Sequence, residues 1–201
     1  MIKYIMSDLS EVIMQGYMGV GQALSPILNI PVEEIELEKT KNFPLFIKLM
    51  EGKLSEDEYI KKFLEITKWN ISIEDFKNVV RKVLKKKIPG TIYILRELKK
   101  HYKLVLLSDN VREWVDYILK VNKDLEIFDY KFFSYELESI KEDNITFVKV
   151  LDKIKAKPEE VFFIDDSLEN IKSAESIGIT GVQFTTAKEL EQKLKEKLIL
   201  K

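Results

Sequence analysis

The stretch from Val161 to Gly178 constrains the fold of this chain more than any other. Its first four residues, 161–164, are apolar and predict a short buried strand. Two acids, Asp165 and Asp166, follow at once, and apolar residues then recur at helical spacing up to Gly178, which stands where a helix C-cap belongs. The pattern predicts two adjacent carboxylates at the carboxyl end of a strand, against the N-terminus of a helix.

Adjacent carboxylates in that position favour a cation site. In open α/β sheets, ligands bind at the carboxyl ends of the strands. Two adjacent negative charges repel each other, and hard oxygen ligands of this kind suit Mg²⁺. Helix capping is the alternative, because Asp is a good N-cap and acids favour a helix N-terminus. Capping explains one of the pair Asp165 and Asp166, whereas two acids directly after a buried strand favour a metal or catalytic site.

Length and composition limit the possible functions. A chain of 201 residues is long enough for one core domain with an insertion. Lys and Arg (33) nearly balance Asp and Glu (34), so no overall charge favours nucleic acid or a membrane surface as a partner. The absence of Cys excludes disulfides, thiol chemistry and Cys-ligated zinc. No apolar run has the length of a membrane span and no signal-peptide pattern is present, so we expect a cytoplasmic protein.

Two other predicted strands also end in polar residues. The apolar segment Ile2–Met6 leads to Asp8, whose carboxylate could serve as a metal ligand, a base or a nucleophile. The strand predicted at Leu104–Leu107 ends in Ser108-Asp109-Asn110 and precedes a helix. A hydroxyl and backbone N–H groups at a helix N-terminus form an anion site. Helix capping is again the alternative for Asp8 and for Ser108.

The segment between these two strands is helical. Residues 17–87 show helical periodicity and no convincing strand, and a capping box at Ser55–Glu58 predicts one of about four helices. Further along the chain, short strands are predicted at Lys131–Ser134 and Gly181–Phe184, with a loop at Tyr135–Lys141. Strands that alternate with helices predict a doubly wound, parallel, Rossmann-like α/β sheet. Lys141 would ordinarily be solvated, but near three carboxylates it would be held as a counter-charge.

Taken together, these motifs resemble the haloacid dehalogenase-like (HAD) hydrolase superfamily over nearly the whole chain. The first motif of the superfamily is a strand that ends in a nucleophilic Asp, here Asp8, and its second is a strand that ends in Ser or Thr, here Ser108. Its third motif is a Lys, here Lys141, and its fourth is an acidic pair, here Asp165-Asp166, with Asn170 four positions on. The segments Ser-Tyr-Glu and Ile-Asp-Asp-Ser-Leu-Glu-Asn resemble the corresponding motifs of the branch of small sugar-phosphate phosphatases.

The resemblance implies a core domain at 1–16 and 88–201 and a small helical cap at 17–87, inserted after the first strand. It implies a Mg²⁺-dependent phosphatase of small phosphorylated metabolites. Asp8 would attack phosphorus and form an aspartyl-phosphate, while Ser108 and Lys141 hold the phosphoryl oxygens.

The same resemblance assigns the ligands of the site. Ser108, Asp109, Asn110 and Lys141 would bind the substrate. The metal ligands would be Asp8, the carbonyl of Ser10, Asp166, and Asp165 through a water molecule.

Two positions depart from the pattern of the family. Ser10 stands where most family phosphatases carry an Asp that acts as general acid and base, and Glu142 follows the motif Lys in place of Pro. Glu11 is the nearest other acid, but neighbouring side chains usually point apart, so we do not expect it to replace that Asp. A haloacid dehalogenase-type hydrolase and a catalytically impaired binding protein are therefore the alternatives. The acidic pair argues against the dehalogenase, which needs no metal.

Overall fold

The computed structural model describes residues 1–35, 44–197 and 199–200, and within them five strands form one parallel sheet. The strands are β1 (Tyr4–Ser7), β2 (Lys103–Ser108), β3 (Tyr130–Phe133), β4 (Val161–Asp165) and β5 (Thr180–Gln183). Their order across the sheet is β3-β2-β1-β4-β5. The predicted doubly wound α/β fold is therefore confirmed.

The register of the central strands fixes which residues meet at the edge of the sheet. Ser7, the last residue of β1, pairs with Leu106 of β2 on one side and with Ile164 of β4 on the other. The residue that follows β1, Asp8, consequently lies beside the end of β4, and its backbone N–H donates to the carbonyl of Ile164 at 2.9 Å. The parallel strands bring their carboxyl ends, and the polar residues there, to one edge.

Ten α-helices connect and flank the strands within the described residues. They are α1 (Met18–Leu28), α2 (Pro44–Met50), α3 (Glu56–Thr67), α4 (Ile73–Val83), α5 (Thr91–Lys99), α6 (Arg112–Val121), α7 (Ser134–Leu137), α8 (Ile145–Ile154), α9 (Leu168–Glu175) and α10 (Ala187–Glu196). Single turns of 3₁₀ helix occur at Val32–Glu34 and Pro158–Glu160, and a longer one at Lys123–Ile127.

Helices α1 to α4 form the insertion between β1 and α5, as expected. Ser55 caps α3 with both hydrogen bonds of the predicted capping box, and Ser72 caps α4 by accepting from the N–H of Asp75. Residues 36–43, which fall in the predicted cap, lie outside the described residues. The division into a core at 1–16 and 88–201 and a cap at 17–87 stays a prediction.

One local prediction was wrong. The segment Tyr135–Lys141 was expected to be a loop, but it begins within the single-turn helix α7. The turn ends at Glu138, which adopts a left-handed conformation with φ of 50° and donates its N–H to the carbonyl of Ser134. A helix of four residues is too short to show a helical period in its sequence, which is why the pattern did not predict it.

Apolar side chains cover both faces of the sheet. Ile5 of β1 and Phe162 of β4 point to the face that also packs against the inserted helices, whereas Met6 and Phe163 point to the opposite face and pack against α8 and α9. Successive residues of a strand alternate between faces, and a parallel sheet covered on both sides buries each set. No helix among the described residues combines the length and the apolar character that crossing a membrane requires.

Candidate active site

Three neighbouring strands present polar side chains at their carboxyl ends. Asp8 follows β1, Ser108 ends β2 and Asp165 ends β4. These three side chains are buried, and Asp8, the most exposed of them, has 5% of its surface accessible. Buried polar groups need partners, so the contacts among them determine what the site can do.

The amino group of Lys141 lies between two carboxylates. Its Nζ is 2.8 Å from Oδ1 of Asp8 and 2.6 Å from Oδ2 of Asp165, and the side chain of Lys141 is 2% exposed. Its backbone N–H donates to both carboxylate oxygens of Asp109, at 3.0 and 3.2 Å. Burial works against the charged amine, but the carboxylates of Asp165, Asp8 and Asp109 together raise the pKa of Lys141. Lys141 is thus a buried cation. This is the counter-charge that we expected if Lys141 lay near three carboxylates.

Asp165 is held by donors on both of its oxygens. Oδ1 accepts from the N–H of Ser167 at 2.8 Å and from the side-chain amide of Asn170 at 3.0 Å. Oδ2 accepts from Lys141. Ser167 also caps α9, since its hydroxyl accepts from the N–H of Asn170. The N-cap of this helix is therefore Ser167, and the two preceding acids are left for the site.

The carboxylates of Asp8, Asp165 and Asp166 form a cluster that fits a divalent cation. One oxygen from each lies within 4.8 Å of the others. Burial raises the pKa of Asp8 well above its usual range, against the pull of Lys141, and burial together with Asp165 raises the pKa of Asp166 to about 6. The pKa of both acids is raised because one Lys does not offset this much buried negative charge. Three hard oxygen donors that are short of positive charge suit Mg²⁺.

Ser108 and Asn110 stand beside Asp8 at the end of the neighbouring strand. The amide nitrogen of Asn110 lies 3.4 Å from Oγ of Ser108 and 3.5 Å from Oγ of Ser10. The backbone N–H of Asn110 donates to Oγ of Ser134, which in turn donates to the carbonyl of Met50 at 2.6 Å. Sequence reasoning missed Ser134, although its place directly after β3 is the same signal that singled out Ser108.

Comparison with known proteins identifies the family. The family model described as haloacid dehalogenase-like hydrolase matches residues 28–184, which is more than half of the chain. The chain belongs to the haloacid dehalogenase-like hydrolase family.

A HAD family enzyme from Bacteroides thetaiotaomicron, solved in complex with magnesium and inorganic phosphate, has a similar fold. The TM-score is 0.76 over 92% of this chain and 96% of that one, at 22% identity. The sesquiterpene phosphatase of Aspergillus oryzae is 30% identical over an alignment of 105 positions, which covers 49% of this chain and 53% of that protein. The drimenol cyclase of Aspergillus calidoustus is 37% identical over 71 residues, 35% of this chain and 13% of the cyclase. The chain thus spans about half the length, or less, of these two curated relatives.

Ser10, which stands where the resemblance leads us to expect an acid/base Asp, and Glu11 both lie close to Gly16. A Cβ built on Gly16 would stand 2.8 Å from Cβ of Ser10 and 3.1 Å from Oε1 of Glu11. Glu11 has a φ of 55°, and its carboxylate accepts the N–H of Gly16 at 2.8 Å. The expectation that Glu11 does not replace the missing Asp stays a prediction.

A buried ionic network joins the inserted helices of this HAD protein to α6. Glu56, 2% exposed, accepts from both guanidinium nitrogens of Arg81 at 2.8 and 2.6 Å and from the indole N–H of Trp114 at 2.6 Å. The backbone N–H of Glu56 donates to the carboxylate of Glu113. The sequence placed Glu56 only inside a capping box, and no local signal shows its partners 25 and 58 residues away.

Asp166 of the carboxylate cluster lines a cavity of about 170 Å³. One face of the cavity is polar and is formed by Ser10, Glu11, Asp109, Asn110 and Asp166. The opposite face consists of apolar and aromatic side chains from the inserted helices and from the start of α6.

Proposed function

We propose that this protein is a Mg²⁺-dependent phosphatase that hydrolyses small phosphorylated metabolites through an aspartyl-phosphate on Asp8. The observation that carries the proposal is the convergence of Asp8, Lys141 and the Asp165–Asp166 pair at one sheet edge. This site combines a nucleophile, a fixed cation and a metal-ligand set, and Asp166 of that set lines a cavity of about 170 Å³.

The proposed reaction assigns a task to each side chain. An oxygen of Asp8 attacks phosphorus as the bond from phosphorus to the alcohol oxygen breaks, and that oxygen takes a proton from water and leaves as the alcohol. Ser108, Asn110 and Lys141 bind the phosphoryl oxygens and stabilise the charge that develops on them. Water then attacks the aspartyl-phosphate, which releases phosphate and restores Asp8.

Mg²⁺ would be held by Asp8, the Ser10 carbonyl and Asp166, with Asp165 acting through water. When bound, it supplies the positive charge that offsets the phosphoryl oxygens and keeps Asp8 ionised. The saturation of both Asp165 oxygens by Ser167, Asn170 and Lys141 supports its indirect role.

Two of the similar proteins support phosphate chemistry over dehalogenation. The structure from Bacteroides thetaiotaomicron holds magnesium and inorganic phosphate, and the relative from Aspergillus oryzae is named a sesquiterpene phosphatase. The cluster of three carboxylates points the same way, since attack on a carbon–halogen bond needs no metal.

The test measures phosphate release from p-nitrophenyl phosphate and acetyl phosphate, with Mg²⁺ and with a chelator. We expect release that depends on Mg²⁺ and that is lost in Asp8→Asn, because a neutral amide is a poor nucleophile. The matched control is Asp152→Asn, which changes a carboxylate that is 80% exposed and far along the chain in α8. Substantial activity in a folded Asp8→Asn protein would contradict the assignment of the nucleophile.

A further inference from the structure

The apolar face of the active-site cavity is built from six side chains. They come from α2, from the ends of α1 and α4, and from the start of α6: Tyr17, Phe46, Met50, Leu84, Val111 and Trp114. Three of them are aromatic and pack against one another. The rings of Phe46 and Tyr17 are 5.0 Å apart at 22°, and those of Tyr17 and Trp114 are 5.2 Å apart at 23°. The rings of Phe46 and Trp114 are 6.3 Å apart and tilted at 43°, so the three rings form one closely packed apolar wall.

The hydrogen-bonding groups of this wall already have partners within the protein. The indole N–H of Trp114 donates to Oε1 of Glu56 at 2.6 Å, and Glu56 is also held by Arg81. The hydroxyl of Tyr17 lies 3.4 Å from that of Tyr59. Hydroxyls of an alcohol that pack against this wall would find no partner on it, and each unpaired polar group lowers binding by roughly tenfold or more.

Charge also selects the occupant of the cavity. Among the described residues that line it, none is Lys, Arg or His, whereas three carboxyl groups, Glu11, Asp109 and Asp166, lie on the polar face. A second phosphate or a carboxylate on the alcohol would therefore meet negative charge with no counter-ion. The buried cation of the site, Lys141, is engaged by Asp8 and Asp165 at the place where the phosphoryl group would bind.

We propose that the natural substrate is a phosphate monoester of an uncharged, apolar alcohol, whose carbon skeleton packs against the rings of Phe46, Tyr17 and Trp114. This inference rests on the proposed phosphatase function and narrows it, since polyhydroxylated sugars and nucleotides are disfavoured. Cavity size suits a compact skeleton: about 170 Å³ is close to the roughly 150 Å³ of an apolar cavity that accepts benzene.

The experiment compares three substrates on the wild-type protein with Mg²⁺. Acetyl phosphate, which is small and activated, reports phosphatase activity without using the apolar face. Isopentyl phosphate and ribose 5-phosphate are both esters of primary alkyl alcohols, so their leaving groups are similar and mainly their polarity differs. We expect kcat/KM for isopentyl phosphate to exceed that for ribose 5-phosphate by on the order of a hundredfold.

A pair of matched variants tests the wall itself. Phe46→Leu replaces an aromatic side chain that lines the cavity. Phe63→Leu replaces a similarly buried aromatic side chain of the inserted helices that does not line it. Phe46→Leu should lower the ratio of kcat/KM for isopentyl phosphate to kcat/KM for acetyl phosphate by about tenfold, because a pocket contact of this size is worth about that factor. Phe63→Leu should leave the ratio of the two substrates as in the wild type.

The outcomes separate the two proposals. Suppose that acetyl phosphate is hydrolysed and that kcat/KM for ribose 5-phosphate equals or exceeds that for isopentyl phosphate. This result would overturn the proposal of an apolar substrate and would leave the proposed phosphatase function intact. Failure to hydrolyse any of the three would overturn the phosphatase, and this inference with it. The wild-type comparison requires no variant, so it decides the matter even if Phe46→Leu does not fold.

Discussion

Nζ of Lys141 lies 2.6 Å from Oδ2 of Asp165, and both side chains are buried at the carboxyl edge of the sheet. The same nitrogen is 2.8 Å from Oδ1 of Asp8, so one ammonium group is shared by two carboxylates. Beyond this ion pair, Asp8 Oδ1 accepts no hydrogen bond from any residue that the structure describes. The site is therefore held together by electrostatics, and changes in its charge should alter its stability and its chemistry together.

Lys141→Met should destabilise the protein by about 3–5 kcal/mol at pH 7, because it leaves two buried carboxylates without their cation. Part of this loss should be recovered at lower pH, because burial raises the pKa of Asp8 and favours its neutral form. Urea denaturation at pH 7 and at lower pH, with a chelator present, measures the effect. The control is Lys3→Met, which removes an exposed partner of Glu160 and should change stability little. Equal effects of the two substitutions would contradict a structural role for the buried pair.

Mg²⁺ should raise the melting temperature by mass action, with a gain of about 2.7 kcal/mol when its concentration is a hundred times Kd. Asp166→Ala should abolish most of this gain, since Asp166 supplies a carboxylate of the cluster. Thermal melts with millimolar Mg²⁺ or a chelator measure it. Asp152→Ala, at an exposed carboxylate, should keep the full shift. An undiminished Mg²⁺ shift in Asp166→Ala would rule out this carboxylate as a ligand.

Asp109 should make the metal-free protein less stable as the pH rises from about 4 to 6. Burial raises the pKa of Asp109 from 3.8 to about 6, although Lys141 opposes the shift. Between these values the folded state binds more protons than the unfolded state, so the free energy of unfolding falls as the pH increases. The destabilisation by the Asp109 charge is complete above the pKa of Asp109 in the folded state, about 6, and disappears as the pH falls toward its value in the unfolded state, 3.8. Denaturation of wild type and Asp109→Asn across pH 4–7 measures it.

We expect the stability of the wild type relative to Asp109→Asn to decline by roughly 2–3 kcal/mol over that pH range. Asp124→Asn serves as the control of opposite sign. A hydrogen bond from Lys87 lowers the pKa of Asp124, so Asp124 stabilises the fold at neutral pH and loses that effect in acid. If both variants showed the same pH trend as the wild type, burial of the Asp109 charge would not be the cause.

Ser10→Asp should accelerate hydrolysis of alkyl phosphates more than that of p-nitrophenyl phosphate. A positioned carboxylic acid that protonates the leaving oxygen contributes on the order of a hundred- to ten-thousandfold, and a good leaving group needs no proton. Ser10 is too weak an acid for this task, so the wild type should be slow on alkyl esters. Steady-state kinetics on isopentyl and p-nitrophenyl phosphate measure the difference.

Glu11→Gln is the comparison for Ser10→Asp, because both side chains lie against Gly16. The amide oxygen of Gln can still accept the N–H of Gly16, so the local backbone should be retained. We expect little change in the turnover of alkyl phosphates. A collapse of that turnover in Glu11→Gln, with efficient wild-type hydrolysis, would make Glu11 the acid and contradict the prediction for Ser10.

Much of the sheet edge was predictable because its signals are local. Asp8, Ser108 and Asp165 each follow a short apolar run, and a parallel sheet must bring such strand ends to the same side. Helix α7 was not predicted because its four residues are too few to show a helical period. Ser134 was also missed, although it directly follows β3 and the strand-end argument applies to it as well.

The sequence by itself determined which residue types stand at the ends of the strands and where helices begin, because hydrophobic period and capping act over a few residues. Only the tertiary structure decided that Lys141 bridges Asp8 and Asp165, and that Glu56 is buried against Arg81 and Trp114. These contacts join elements far apart in the chain, and their distances depend on how the helices pack on the sheet. No local pattern encodes such a distance, since packing is settled by all the side chains that share the core.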